Sequence, residues 1–539
     1  MMLRPAITAL ALGTAFTLAG FVPTAAAQPA APAHASHRIL GTVNFPVQCN
    51  AQAQAEFNHG MLLQHSFWYQ MAGESFRQVR RHDPGCTMSY WGEALSLLTN
   101  PYAPPFAQNL RQGRALLAEA QRIGARNPRE AAYIEALSVI FAGDDLPGHR
   151  ARLVAYRDAM GRLHQRFPDD AEAMIQYALL LGVASSPTDR TYADQLRGAE
   201  MLERELVRQP EHPGIVHYLI HLYDYPALAG RGVSAAERYG RLAADAPHAV
   251  HMPSHIYTRI GRWEDSIESN GRAADLAQRA GEADDTLHAL DYMVYAYLQT
   301  GRDRQAEEAL RRALTFSATG PTRVAYGFAM AAIPARYALE RGAWVEATAL
   351  TPRPASAPNF AYTEALTHFA RAIGFARSGR PAEATPDIEA LGRIAETLRT
   401  RDPYWAEQVL IQREAALGQQ AFAAGQREEG LQQLRMAAER ESRLDKHVIT
   451  PGPLAPAREL YAEALLEAGQ AAAALAEFEA VQRTEPRRLR AIAGAARAAE
   501  ALGNRDEARR LHASLLDVAG NGDPSRPEIV AARAYLGRN

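Results

Sequence analysis

The sequence predicts an all-α protein, an α-solenoid built from repeated helical hairpins. Beyond residue 42 the chain is dominated by Ala, Leu, Arg, Glu and Gln, which are good helix formers. Sustained alternation of apolar and polar residues, the mark of strands, is missing, and the one short candidate is TVNFPV at residues 42–47. Related segments also recur along the chain, each beginning at a turn glycine, which indicates stacked supersecondary units.

The repeats are clearest in four segments: GRWEDSIESNGRA from Gly261, GRDRQAEEALRRA from Gly301, GQAAAALAEFEAV from Gly469 and GNRDEARRLHASL from Gly503. A small residue follows each glycine by five positions: Ser266, Ala306, Ala474 and Ala508. The last two segments are 34 residues apart. A hairpin of this length cannot bury its own apolar stripe, so it must stack on its neighbours.

These repeats resemble the tetratricopeptide repeat over most of residues 50–520. The resemblance implies helix–turn–helix units whose small residues allow close helix contact, stacked into a right-handed superhelix with a concave groove. Proline-rich segments at residues 100–108 and 351–360 suggest breaks between sub-arrays. We therefore expect N-terminal hairpins at 49–100, a central array at 101–350 and a C-terminal array at 351–539.

The N-terminus predicts export. Residues 1–27 read as a signal peptide with a short basic start, an apolar stretch and small residues at Ala25 and Ala27, and an uncleaved membrane anchor is the alternative. Residues 28–48 are expected to be a flexible or extended leader. No later run is apolar enough for a membrane span, so we expect a periplasmic or secreted protein that has no membrane contact after cleavage.

Export bears on the two cysteines, Cys49 and Cys86, because an oxidising compartment favours a disulfide between them. A metal-binding or catalytic cysteine is the weaker alternative, since neither residue lies near the histidines described below. The net charge of −2 gives no basic excess of the kind that binds nucleic acid.

Histidines are concentrated in one part of the chain. His217 and His221 are four residues apart in HPGIVHYLIHLYD, where Pro213 suits the start of a helix, so both rings share a face. His251 and His255 repeat this spacing, and His248 lies on the same face. Two such pairs on neighbouring helices can converge on one metal ion.

The repeat register extends the cluster. In one repeat, His248, His251 and His255 precede the turn residue Gly261 by 13, 10 and 6 residues. In the next repeat, His288, Asp291 and Tyr295 precede Gly301 by the same numbers of residues. The resemblance implies that these first-helix positions line the groove. We therefore expect one shared metal site with these candidate ligands: His217, His221, His248, His251, His255 and His288. For any single histidine, a structural hydrogen-bonded role is the competing interpretation.

Imidazole ligands with at most one carboxylate fit zinc, copper or iron. The candidate catalytic residues are Asp224, Asp291, Tyr295 and Glu364. Any of the three carboxylates could hold a histidine tautomer or act as a general base, and Tyr295 is expected beside the metal ligands. The glutamate of an H-E-x-x-H motif is missing from these pairs, so the sequence does not predict a metalloprotease of that type.

The blocks HPGIVHYLIH and HAVHMPSHI, with HSFWY near the N-terminus, are similar to those of a group of exported bacterial tetratricopeptide-repeat proteins. The resemblance implies the fold and names no reaction. Three functions stay open: a metal-dependent hydrolase or oxidoreductase acting on a small molecule or peptide in the groove, a scaffold that binds a peptide or protein partner, and metal storage or delivery.

Overall fold

The computed structural model describes residues 39–145, 147–317, 322–356 and 360–538. The predicted signal peptide lies outside them. The N-terminal half contains α1 Ala51–His65, α2 Tyr69–His82, α3 Thr87–Leu97, α4 Ala107–Ile123, α5 Pro128–Ile140, α6 His149–Arg166, α7 Ala171–Val183, α8 Ala193–Arg208, α9 Pro213–Tyr223, α10 Val233–Leu242, α11 Pro247–His251, α12 Pro253–Arg259 and α13 Trp263–Arg279. The remainder contains α14 Ala283–Gln299, α15 Asp303–Leu314, α16 Val324–Glu340, α17 Trp344–Thr348, α18 Tyr362–Arg377, α19 Thr385–Leu398, α20 Pro403–Ala423, α21 Arg427–Glu441, α22 Ala457–Glu467, α23 Ala471–Thr484, α24 Leu489–Ala501, α25 Arg505–Ala519 and α26 Pro527–Arg538.

Successive helices pair into hairpins that pack on the hairpins before and after them, which confirms the all-α, tetratricopeptide-like solenoid. Within the described residues no strand forms, and the candidate at 42–47 is extended backbone without a strand partner. None of the helices in this part of the chain is both long and apolar enough to cross a membrane.

The start of the described chain is extended, as expected, and it is packed. Phe45 is fully buried, with its ring centroid 5.3 Å from that of Phe57 and 5.1 Å from that of Tyr133. The Thr42 N–H donates to the carbonyl of Glu211 at 2.9 Å. Four residues of the expected leader, Leu40, Val43, Phe45 and Val47, thus belong to the core.

Cys49 and Cys86 form a disulfide, as the export argument predicted. The bond ties the segment before α1 to the residue before α3, across a sequence separation of 37 residues. A cross-link of this kind removes conformational freedom from the unfolded chain.

The C-terminal hairpins fold back onto the central ones. The Trp263 indole N–H donates to the carbonyl of Arg487 at 3.0 Å, and the Asp523 N–H donates to the carbonyl of Gly301 at 2.8 Å. The described residues from Ile39 onward accordingly form one compact unit. The proline-rich segments near residues 100 and 351 are irregular connections inside that unit.

Residues 442–456, which we call the crossing segment, link α21 to α22 and reach the first half of the chain. Lys446 lies 3.4 Å from both carboxylate oxygens of Asp224. Nε2 of His447 donates to the carbonyl of Tyr102 at 3.2 Å. The crossing segment therefore lies beside the histidine-rich helices.

Candidate metal centre

The six candidate histidines lie on the first helices of three successive hairpins: α9, the interrupted helix α11–α12, and α14. Proline at the first position of α9 and of α11 suits a helix start, because proline lacks the N–H that would be unpaired there. Pro253 interrupts the predicted continuous helix and divides it into α11 and α12. Even so, His251 and His255 remain neighbours across the interruption, with ring centroids 4.9 Å apart.

The six histidines form two groups of three instead of the single set of ligands that we expected. Within each group, one nitrogen from every ring lies within 4.8 Å of the others. The groups are His251, His255 and His288, which we call triad A, and His217, His221 and His248, which we call triad B. The triads adjoin, since the centroids of His248 and His251 are 5.9 Å apart. His288 is half-buried and the other five are buried.

In triad A, hydrogen bonds fix the tautomers of two rings. Nδ1 of His251 lies 2.6 Å from Oδ1 of Asn270, whose own amide Nδ2 donates to the carbonyl of Ser266 at 2.7 Å. Nδ1 of His255 lies 2.9 Å from Oδ2 of Asp224. Both partner atoms are acceptors, so both Nδ1 atoms carry the hydrogen and both neutral rings present a lone pair at Nε2.

The two Nε2 atoms of His251 and His255 face each other at 3.0 Å. Two lone pairs at this distance repel each other unless a cation or a proton lies with them. Two nitrogens bound to one zinc ion in tetrahedral geometry are about 3.3 Å apart, given a Zn–N distance of about 2.0–2.1 Å. The pair therefore has nearly the spacing that a shared ion requires.

Asp224 is the carboxylate that holds His255. Burial alone would raise its pKa, but Lys446 and Arg259 keep the pKa well below its usual range. Nε of Arg259 donates to Oδ1 of Asp224 at 2.8 Å. Asp224 is thus ionised and hydrogen-bonded to His255, a contact that fits the first of the two roles suggested for it; its role in any reaction stays a prediction.

Triad B shows the same pattern in part. Nδ1 of His217 donates to the carbonyl of His65 at 2.6 Å, which leaves its Nε2 as an acceptor 3.1 Å from Nε2 of His221. A neutral His221 could donate here, but its Nδ1 would then remain buried without a partner. Both Nδ1 of His221 and Nε2 of His248 are buried with no hydrogen-bond partner among the described residues.

A third group of possible metal ligands, His65, Glu172 and His212, lies next to triad B. Glu172 lies 3.1 Å from Nε2 of His65 and 2.9 Å from Nε2 of His212. Burial would raise the pKa of Glu172, but the two imidazoles hold it far below its usual range. Because the carboxylate accepts hydrogen bonds from both rings, hydrogen bonding accounts for this group without an ion.

The pKa values of all six histidines in the triads lie below the ordinary value, chiefly because burial disfavours the charged ring. In five of the six, excepting His255, the neighbouring imidazoles are the next cause. The rings are therefore neutral at pH 7, which is the protonation state that binds a metal.

The other three candidate residues lie elsewhere. Oδ1 of Asp291 accepts from Nε of Arg336 at 3.3 Å, and Tyr295 contacts Arg488 and Glu485. Asp291 and Tyr295 lie on the same face of α14 as His288. At His288 this face meets α11 and α12, but further along the helix it packs against α16 and residues 485–488. Glu364 lies 3.7 Å from Nε2 of His368 on α18, and no contact joins it to the triads.

Sequence reasoning missed several residues that complete the site. Tyr292 takes the place expected for Tyr295: its ring centroid is 4.8 Å from that of His251, and its hydroxyl donates to the carbonyl of Val448 at 3.0 Å. The ring of Phe67 packs on triad B, 4.3 Å from the centroid of His217. The i, i+4 spacing from His288 could have identified Tyr292, whereas nothing in the local sequence indicates Phe67.

Comparison with known proteins gives structural likenesses only. The chain matches no protein-family model and no curated protein. The structure of yeast Tom70 is 12% identical over 90% of this chain and 96% of that chain, with a TM-score of 0.29. Human IFIT1 with PPP-AAAA is 11% identical over 88% and 92%, with a TM-score of 0.38. At such scores, the description of the fold rests on the hairpins of this chain.

Proposed function

We propose that this chain is an exported tetratricopeptide-like metalloprotein in which triad A and triad B each bind a divalent transition-metal ion. The observation that carries the proposal is the 3.0 Å approach of the His251 and His255 Nε2 atoms, whose Nδ1 atoms are both committed to acceptors. Imidazole ligation favours zinc, copper or iron over magnesium or calcium, which prefer oxygen ligands.

Burying this many imidazoles together is costly unless they share a partner. Without an ion, triad A retains two opposed lone pairs, and triad B retains two unpartnered ring nitrogens. An ion in triad A would bind both lone pairs. An ion in triad B can bind one nitrogen of each ring, so it would remove part of this cost there. Three ligands to each ion leave room for a further ligand, as in catalytic rather than structural zinc sites.

The proposed activity is metal-dependent hydrolysis or oxidation of a small molecule or a peptide. When bound, an ion of this kind polarises a substrate oxygen or lowers the pKa of a bound water. The chain's contribution is to hold the rings: Asp224 and Asn270 fix two tautomers, while Phe67 and the crossing segment cover the cluster with protein.

Elemental analysis of protein purified without a histidine tag tests the proposal. We expect up to about two ions per chain, one for each triad. His251→Ala with His255→Ala should remove one ion, and His217→Ala with His221→Ala should remove the other. The matched control is His82→Ala with His164→Ala, two histidines outside the triads, which should leave the metal content unchanged.

The outcomes separate the alternatives. Protein that holds no metal, or metal that survives both double substitutions, would refute the proposal and leave a hairpin scaffold for a peptide or protein partner. Loss of all metal in either variant would indicate one shared ion. Metal bound in full, with no turnover of hydrolysable or oxidisable probes, would favour storage or delivery.

A further inference from the structure

A small cavity of about 60 Å³ lies among the N-terminal hairpins, next to triad B. At about 15 Å³ of cavity volume for each water molecule, it has room for roughly four waters or one molecule of similar total size. The irregular segment between α3 and α4 forms one wall, with Pro101 and Pro105. Most of the remaining wall is apolar and includes Met61, Leu98, Ile140, Leu153, Leu179 and Leu180.

Two glutamines in this apolar wall have unpaired amide atoms. Gln176 is 6% exposed, and both its Nε2 and its Oε1 are buried without a hydrogen-bond partner among the described residues. Gln64 is 8% exposed, and its Oε1 is also unpartnered. Burying an amide without a partner costs about 1–3 kcal/mol by the mutational measure, so such atoms in a native protein need an explanation.

The cavity is also uncharged. None of the described residues that line it is Asp, Glu, Lys or Arg. Burial and two nearby arginines lower the pKa of His149, which lines the wall, to about 4, so its ring is neutral at pH 7. An ion entering this space would lose its hydration without gaining an opposite charge.

Phe67 separates the cavity from triad B. It lines the cavity, and its ring lies 4.3 Å from the centroid of His217 and 5.1 Å from that of His248. Its backbone is in the left-handed region, at a φ of 55°, which is rare for a bulky side chain. Strained residues of this kind cluster at binding and active sites.

We propose that this cavity is a binding site for an uncharged, largely apolar small molecule that carries one amide-like or acid-like group able both to donate and to accept hydrogen bonds. Nε2 of Gln176 supplies the donor, and Oε1 of Gln176 and Oε1 of Gln64 supply the acceptors. The apolar side chains contact the rest of the molecule. The proposal needs no bound metal, so it stands or falls separately from the proposed function.

Two isosteric probes test the charge and the hydrogen bonding. Isobutyramide is neutral at pH 7, and isobutyrate has almost the same shape with a negative charge. We expect ligand-observed saturation-transfer NMR to detect binding of isobutyramide, with binding of isobutyrate at least about tenfold weaker because the site offers no cation.

Gln176→Leu should weaken isobutyramide binding by about tenfold through loss of the amide partners. Gln64→Leu is a second variant in case the first does not fold, and Gln121→Leu on the exposed face of α4 is the matched control that should bind as the wild type does. Circular dichroism and thermal unfolding establish that each variant is folded.

Three results would overturn the inference: equal binding of the amide and the carboxylate, isobutyramide binding that both glutamine variants leave unchanged, or no binding of either probe together with ordered water on Gln64 and Gln176 in a crystal structure. The first would indicate binding outside the cavity. The last would show that water alone satisfies the two amides.

Discussion

Two acceptors, Asn270 and Asp224, determine which nitrogen of His251 and of His255 faces the neighbouring ring. The amide of Asn270 is itself oriented, because its Nδ2 donates to the carbonyl of Ser266. Without these acceptors each imidazole could adopt either tautomer, and three of the four combinations would point at least one N–H at the site. Fixing the tautomer is thus a separate contribution from providing the ring.

Asn270→Leu, which keeps the size but removes the acceptor, should therefore weaken metal binding by triad A by about 10–100-fold. Competition with a chromogenic chelator measures the affinity. Asn270→Asp preserves an acceptor for Nδ1 of His251 and should recover most of the affinity. If the leucine variant bound metal as tightly as the wild type, the hydrogen bond would not serve the site.

The buried histidines also predict how the metal-free chain responds to acid. Burial first, and neighbouring imidazoles second, lower the pKa of His217 and of His221 well below 6.5. Below pH 6.5 these histidines therefore bind more protons in the unfolded chain than in the folded chain, so their contribution to stability falls as the pH falls. Each such histidine contributes up to about 1.4 kcal/mol per pH unit.

We expect His217→Gln with His221→Gln to flatten this fall in stability between pH 6.5 and pH 5. Urea unfolding of chelator-treated protein at several pH values measures it. The comparison with wild type is needed because other groups act in the opposite sense: burial raises the pKa of Asp285 to about 6. Parallel curves for the two proteins would contradict the prediction.

At the scale of helical elements, a recurring contact between phenylalanine and glycine brings paired helices together. A Cβ on Gly92 would meet the ring of Phe76, and a Cβ on Gly494 would meet the ring of Phe478. Both phenylalanines are fully buried. Here a glycine on one helix makes room for the aromatic ring of its neighbour, which is how these hairpins pack closely.

Gly494→Ala should accordingly destabilise the protein by about 1–3 kcal/mol through overpacking against Phe478. The matched control is Gly271→Ala in α13, where a Cβ would meet only Sδ of Met293 at 3.8 Å. There, alanine should be neutral or stabilising by up to about 1 kcal/mol, since glycine is the poorer helix former. Equal effects of the two substitutions in chemical denaturation would refute the packing argument.

The same scale shows what could be predicted from the sequence. Repeat register correctly brought His251, His255 and His288 together, because equivalent positions of adjacent hairpins are neighbours in any solenoid. It could not divide six histidines into two triads, since that depends on ring rotations. The repeat register also misplaced Tyr295. It predicts which face of a helix a residue lies on, but not which neighbouring helix packs against each turn of that face.

Contacts between hairpins far apart in sequence lay beyond prediction for a related reason. Lys446 reaches Asp224 across 222 residues, and the crossing segment has no repeat pattern. Its position depends on how tightly the whole solenoid coils, which small rotations at every hairpin determine together. The sequence therefore indicated the histidine cluster and an open groove, but not the segment that covers the cluster.

At the scale of the whole molecule, Arg488 joins the central and C-terminal hairpins. It is 1% exposed, forms two hydrogen bonds with Glu459 at 2.7 and 2.9 Å, and pairs with Glu340 at 2.7 Å. It also donates to the hydroxyl of Tyr295 at 3.2 Å. One guanidinium therefore links residues of α14, α16 and α22 in a buried site.

Arg488→Ala should destabilise the chain by about 3–5 kcal/mol, because it leaves the buried Glu340 without its cation and Glu459 with Arg490 alone. If the array folds as one unit, a single unfolding transition should shift as a whole, and amide exchange should accelerate in α14 as well as in α24. Arg509→Ala, at an exposed position of α25, is the control and should change neither quantity. Two separate transitions, with only the C-terminal hairpins weakened, would instead show that the central array and its two histidine triads are stable without the C-terminal hairpins.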